Sequence, residues 1–150
     1  MRKFALVLVA TFLALSLSLP AMAETLRRDW TEEEVLDILK SEGYGRPTLR
    51  NSRITFLVEG DTLVLRRYED GDWGLSYGIT GGRWSLRVIN EWNVDYRFTR
   101  ACLDKENDPR LEADLLADAG FSASQLKAFI KAFTVVRTTF EDFLRERDGK

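Results

Sequence analysis

The stretch Ile54-Thr55-Phe56-Leu57-Val58-Glu59-Gly60-Asp61-Thr62-Leu63-Val64-Leu65-Arg66-Arg67-Tyr68 alternates in character at nearly every residue. Ile54, Phe56 and Val58 alternate with Thr55, Leu57 and Glu59, and Leu63 and Leu65 share one face beyond the break. A period of two sends successive side chains to opposite faces of a strand, and Gly60-Asp61 between two such runs reads as a hairpin turn. Glu69-Asp70-Gly71-Asp72 makes a second turn into Trp73–Thr80, which Gly81-Gly82 ends. Three antiparallel strands in succession form a meander.

On either side the periodicity becomes helical. In Trp30-Thr31-Glu32-Glu33-Glu34-Val35, Thr31 can accept from the Glu34 amide while Glu34 reaches back, with Trp30 and Val35 as the apolar staple. Val35, Leu36, Ile38 and Leu39 give this helix an apolar face, and Gly43 is a natural stop. Trp84, Val88, Ile89 and Trp92 predict a short helix over Arg83–Asn93. Asp95–Leu103 and Arg110–Leu116 read as a strand pair around an acidic turn. Phe121, Ser122, Gln125 and Leu126 then repeat the box and staple. The stripe Leu126, Phe129, Ile130, Phe133, Val136, Phe140, Phe143 and Leu144 follows as far as Asp148-Gly149. The β-branched run Thr134-Val135-Val136 and the pair Thr138-Thr139 weaken helix propensity midway, where a bend is expected. The predicted order is α-β-β-β-α-β-β-α, an α+β domain with an antiparallel sheet packed by helices.

The chain has 150 residues, enough for one ordinary domain, with 22 Lys and Arg against 24 Asp and Glu. It has no His and a single Cys, which excludes His-based triads, His-rich zinc sites, intrachain disulfides and CxxC redox pairs. Cys102 sits in a strand-like run and reads as a small buried hydrophobe.

The start of the chain reads as an address. Arg2-Lys3 precedes 16 uncharged residues, Phe4–Leu19, and Pro20-Ala21-Met22-Ala23 completes an Ala-x-Ala site. That is the pattern of a secretory signal peptide over 1–23, cleaved after Ala23, and it implies a periplasmic or secreted domain over 24–150. Left uncleaved, Phe4–Ala23 would be a membrane anchor close to the ~20 residues a bilayer requires. The mature chain carries 20 basic against 24 acidic residues, a poor match to nucleic acid, whose phosphates call for clustered Lys and Arg. Arg27-Arg28 and Arg66-Arg67 are pairs rather than a patch.

No motif names a catalytic residue, a cofactor or a metal. Asp104-Lys105-Glu106-Asn107-Asp108 spaces carboxylates as a calcium loop would, but Pro109 and Leu115 stand where an EF-hand needs Gly and Glu. Asp70 and Asp72 are explained by turn chemistry. Asn90, Trp92, Asn93, Arg97 and Arg100 are the constellation to single out. Structurally, such Asn side chains cap backbone groups and the Trp packs. As a binding site, Trp92 would be an aromatic anchor and Arg97 and Arg100 its polar rim.

Three stretches carry a family resemblance: Thr31-x-x-Glu34-Val35-Leu36-x-Ile38-Leu39-x-x-x-Gly43-Tyr44; Ile89-Asn90-x-Trp92-Asn93 with Arg97-Phe98-x-Arg100-Ala101; and Asp108-x-x-Leu111-Glu112-x-Asp114-Leu115 with Gly120-x-Ser122, Leu126 and Phe133. They resemble the YbjN family of bacterial sensory transduction regulators. The resemblance implies a fold similar to secretion chaperones, a helix-and-sheet domain that holds protein segments and often pairs with itself. Some members carry Cys residues where this chain has Glu69-Asp70-Gly71-Asp72-Trp73, and many lack a leader.

The expectation is therefore an exported, non-enzymatic module for a protein or peptide partner, with homodimerisation open. It would use its sheet face or the last helix, where Phe129, Phe133, Phe140 and Phe143 would form the interaction surface. The alternative is a periplasmic small-molecule or glycan binder stacking its ligand on Trp73, Trp84 and Trp92. An enzyme acting through carboxylates alone ranks third. Amino-terminal sequencing of the protein recovered from its cells is expected to begin at Glu24; a chain that retains Met1 in the cytosol would overturn the export reading.

Overall fold

The computed structural model describes residues 24–81 and 84–147; the leader 1–23, the pair Gly82-Arg83 and residues 148–150 lie outside the described residues. The elements run α1 (Glu32–Ser41), β1 (Gly45–Arg50), β2 (Arg53–Val58), β3 (Asp61–Arg67), β4 (Trp73–Gly78), α2 (Leu86–Asp95), β5 (Arg100–Leu103), β6 (Pro109–Leu115) and α3 (Ala123–Arg145). The fold is α+β in the expected order, with one further strand, β1, ahead of the meander. All six strands form one antiparallel sheet in the order β1-β2-β3-β4-β6-β5.

Both capping boxes form. Thr31 accepts from the Glu34 amide while Glu34 accepts from the Thr31 amide, and Ser122 and Gln125 repeat the exchange at the start of α3. Arg27 clamps Glu34 through two nitrogens at 2.8 and 3.1 Å. That guanidinium, with the Thr31 amide, holds the Glu34 carboxyl at a pKa of about 2, so it stays ionised where ordinary glutamates titrate. Trp30 is tied across the domain, with its indole N–H donating to the Phe121 carbonyl at 2.9 Å and its ring stacked on Phe121.

β1 starts irregularly: Arg46 lies at φ 46° and a bulge separates Gly45 from Thr48. Its hairpin to β2 turns on Asn51 and Ser52, at φ 49° and 56°, in the left-handed pairing that tight hairpins require. The β2–β3 turn falls on Glu59-Gly60, φ 55° and 101°, one residue earlier than Gly60-Asp61. In α2, Ser85 caps at the Val88 amide, so the helix starts after Trp84. Its expected start at Arg83 lies outside the described residues. Tyr96–Thr99 forms a connection in place of the expected strand start at Asp95, and Phe98 there adopts φ 77°, strained for a bulky residue.

Helices cover one sheet face. Ile54, Leu65, Leu75 and Ala113 are paired in one register row, and Phe56, Leu63, Tyr77, Leu111 and Ala101 in the next; all are buried. α1 packs on β1 and β2, α3 on β4 and β6, and α2 beside β5. The helix α3 runs unbroken through its Thr residues, three of which bond back to carbonyls one turn earlier. It buries Leu126, Phe129, Ile130, Phe133, Phe140, Phe143 and Leu144, each worth on the order of 1.5–3 kcal/mol. No helix among the described residues is long and apolar enough to cross a membrane.

Arg137, on α3, is only 2% exposed. Its guanidinium bonds Glu59 at 2.7 Å and Asp61, reaches the Val58 carbonyl at 3.4 Å, and lies over the Tyr77 ring. One side chain thus pins the β2–β3 hairpin to the last helix. Burial, with the Glu141 carboxylate beside it, pushes the Tyr77 hydroxyl well above its ordinary pKa. Arg137→Met, which keeps the stem's packing and removes the charge, is expected to cost less in urea unfolding than the double change Glu59→Gln/Asp61→Asn. The double change strands a buried cation with only Glu141 near it and is expected to cost about 3 kcal/mol. The reverse order would show that the charge, not the packing, is what α3 needs from Arg137.

Candidate functional site

The constellation chosen from sequence is brought together, and it is used internally. Trp92 is fully buried: its indole N–H donates to Thr99 Oγ1 at 3.3 Å, its ring stacks on Tyr96 at 3.9 Å, and Phe140 and Phe143 meet it edge-on. It anchors α2 to α3 and is out of reach of a partner. The Asn93 amide donates to the Ala101 carbonyl at 3.0 Å and accepts from the Ala101 N–H at 2.7 Å. β5 is an edge strand, so Asn93 takes the place of a neighbouring strand on its outer side. Arg100 is bound to Glu112 across β5 and β6, while Asn90 and Arg97 are exposed.

Phe129, Phe133, Phe140 and Phe143 do not form an interaction surface. All four are buried against the sheet and α2, because six strands and two other helices offer more apolar area than the sequence pattern suggested. Of the three Trp platforms, Trp73 and Trp92 are likewise in the core and Trp84 is half-buried. Asp104 accepts from the amides of Glu106 and Asp108, and Asp108 from that of Gly81, so this acidic turn ties up its own carboxylates. Asp70 and Asp72 serve the β3–β4 turn, Asp72 also accepting from the Ala117 amide. No group of three or more metal-ligating side chains occurs among the described residues. Burial raises the Cys102 pKa and disfavours a thiolate.

What remains accessible is the sheet's other face. Thr48, Thr55, Val64, Ser76, Glu112 and Arg100 form one register row across it. Arg50, Arg53, Arg66, Gly74 and Asp114 form another. A groove of about 1060 Å³ opens here, lined by Arg50, Arg53, Thr55, Arg66 and Tyr68 among others, and a second hollow of about 310 Å³ continues it past Gly74. Tyr68 folds back from the turn onto Gly74, where a Cβ would stand 2.7 Å from the phenol oxygen, and the Arg66 guanidinium lies 5.2 Å from its ring. Sequence reasoning offered the sheet face without its residues, because strand register alone assembles these rows.

Residues 31–146 match the family model of YbjN, described as "Putative bacterial sensory transduction regulator". The chain belongs to the YbjN family. The matched span runs from the cap of α1, Thr31, to the residue that caps α3, Glu146, and so takes in every element of this YbjN fold. No curated protein and no solved structure matches the chain.

Asn93→Ala is expected to lower the melting temperature, through about 1–3 kcal/mol of unsatisfied backbone at Ala101. Light scattering should show more self-association than in the parent, because the edge of β5 is opened. An unchanged melting temperature with unchanged scattering would return Asn93 to the list of free binding groups.

Proposed function

We propose that this YbjN chain is an exported, non-enzymatic regulatory module that binds a protein or peptide on the open face of its sheet. The observation that carries the reading is one-sided coverage: three helices pack against one face and leave the other, with its groove, to solvent. Two structural features narrow the mode. β1 is blunted by Pro47 and its bulge, and the outer side of β5 is occupied by Asn93, so an added strand finds neither edge ready. The Phe stripe of α3 is already covered within the chain and needs no second copy. Family membership supports a regulatory role, and the leader pattern supports export. The non-enzymatic part rests on the acidic turns, whose Asp70, Asp72, Asp104 and Asp108 carboxylates are engaged by backbone amides.

A photo-crosslinking residue placed at Thr55 or Ser76, on the open face, is expected to capture a protein partner in cells. The same residue at Val135, on the exposed side of α3, is expected to capture none. Capture from Val135 alone, or turnover by the purified protein in a hydrolase screen, would overturn the proposal.

A further inference from the structure

Three arginines stand side by side on the open face. Arg50 pairs in register with Arg53 across the β1–β2 hairpin, and Arg53 pairs with Arg66 across β2 and β3. Strands lie ~4.8 Å apart, so the three stems fall within about 10 Å. Like charges directly opposite each other on a sheet repel. Among the described residues, none of the three makes an ion pair that would relieve this. The same face handles its other arginines differently, since Arg100 and Arg110 share Glu112. The row is also unexpected in a domain whose acidic residues outnumber its basic ones.

We infer that the Arg50–Arg53–Arg66 row, with Tyr68, is the anchor for a short acidic peptide segment. This rests on the open-face reading above and gives it a chemistry. Guanidinium forks pair well with carboxylates. A line of three suits carboxylates spaced along an extended chain, whose alternate side chains recur every ~6.8 Å, better than a single compact anion. Tyr68, held flat on Gly74 beneath Arg66, adds an aromatic floor of the kind that dominates binding hot spots. Glu69 and Asp70, at the β3–β4 turn, and Asp114, past Gly74, bound the basic row on its β4 side.

The test uses protein purified after expression of the full-length chain and a labelled twelve-residue peptide of alternating Glu and Ser, read by fluorescence anisotropy. The expected result is binding to the Glu peptide, none to its Gln counterpart, and weakening as salt screens the pairs. Arg53→Gln and Arg66→Gln are each expected to lose about tenfold in affinity or more. Gly74→Ala, which displaces Tyr68, should also weaken binding, while Arg100→Gln should not. Arg53→Gln is expected to melt no lower than the parent, since it relieves repulsion; a marked fall would overturn the premise. Equal binding of the Glu and Gln peptides would overturn the inference. So would inorganic phosphate or anionic phospholipid vesicles occupying the row in place of the peptide. If the acidic peptide fails while crosslinks from Thr55 and Ser76 persist, the face is right and its chemistry wrong; if both fail, the open-face reading falls too.

Discussion

A single antiparallel sheet with three helices on one side divides its own side chains into two populations. Every second residue of β2, β3, β4 and β6 is drawn into a continuous apolar layer, and the residues between point to the other face. That division is what the remaining features depend on. Arg137 can be buried only because α3 lies across the meander where the Glu59-Gly60 turn brings carboxylates to it. The Arg50–Arg53–Arg66 row exists only because the register that aligns Ile54 with Leu65 underneath aligns their neighbours above. A slip of one residue would reverse both faces at once, so core packing and surface chemistry are fixed by the same pairing.

Local signals were the ones legible in the sequence. Both capping boxes, the alternation of β2 and β3 and the stripe of α3 are set by neighbours within a few residues, and all stand where the spacing put them. β1 was not legible, because Leu49 is its only large apolar side chain, Pro47 argues against a strand, and its turn uses Asn51-Ser52 instead of a glycine pair. The surplus assigned to the Phe residues of α3 was an error of area. A stripe shows that a helix must be covered, not how wide the covering is. Strands β4 and β6 and the Trp92–Tyr96 pair at the end of α2 supply that covering.

The Asn90–Arg100 stretch shows why a distinctive motif is weak evidence for a ligand. Its specificity is real but is directed inward: Trp92 joins two helices, and the strained Phe98 turn delivers Thr99 to the indole and Ala101 to Asn93. An edge strand of four residues is a liability that must be closed, and the Asn93 amide, donating once through its nitrogen and accepting once at its oxygen, closes it at Ala101.

Closing the edges has a consequence for recognition. A sheet whose margins accept another strand binds through its backbone and reads sequence only in part. A sheet with both margins blunted must bind through side chains on its face, where charge and aromatic surface decide the partner. In this fold the open face gathers Arg100 and Arg110 around Glu112 and, among the described residues, leaves one row of three arginines without an ion pair. Repulsion retained on a solvent-exposed face weakens the free domain, and an anionic partner removes it, so part of what the row costs in isolation returns as preference for the bound state.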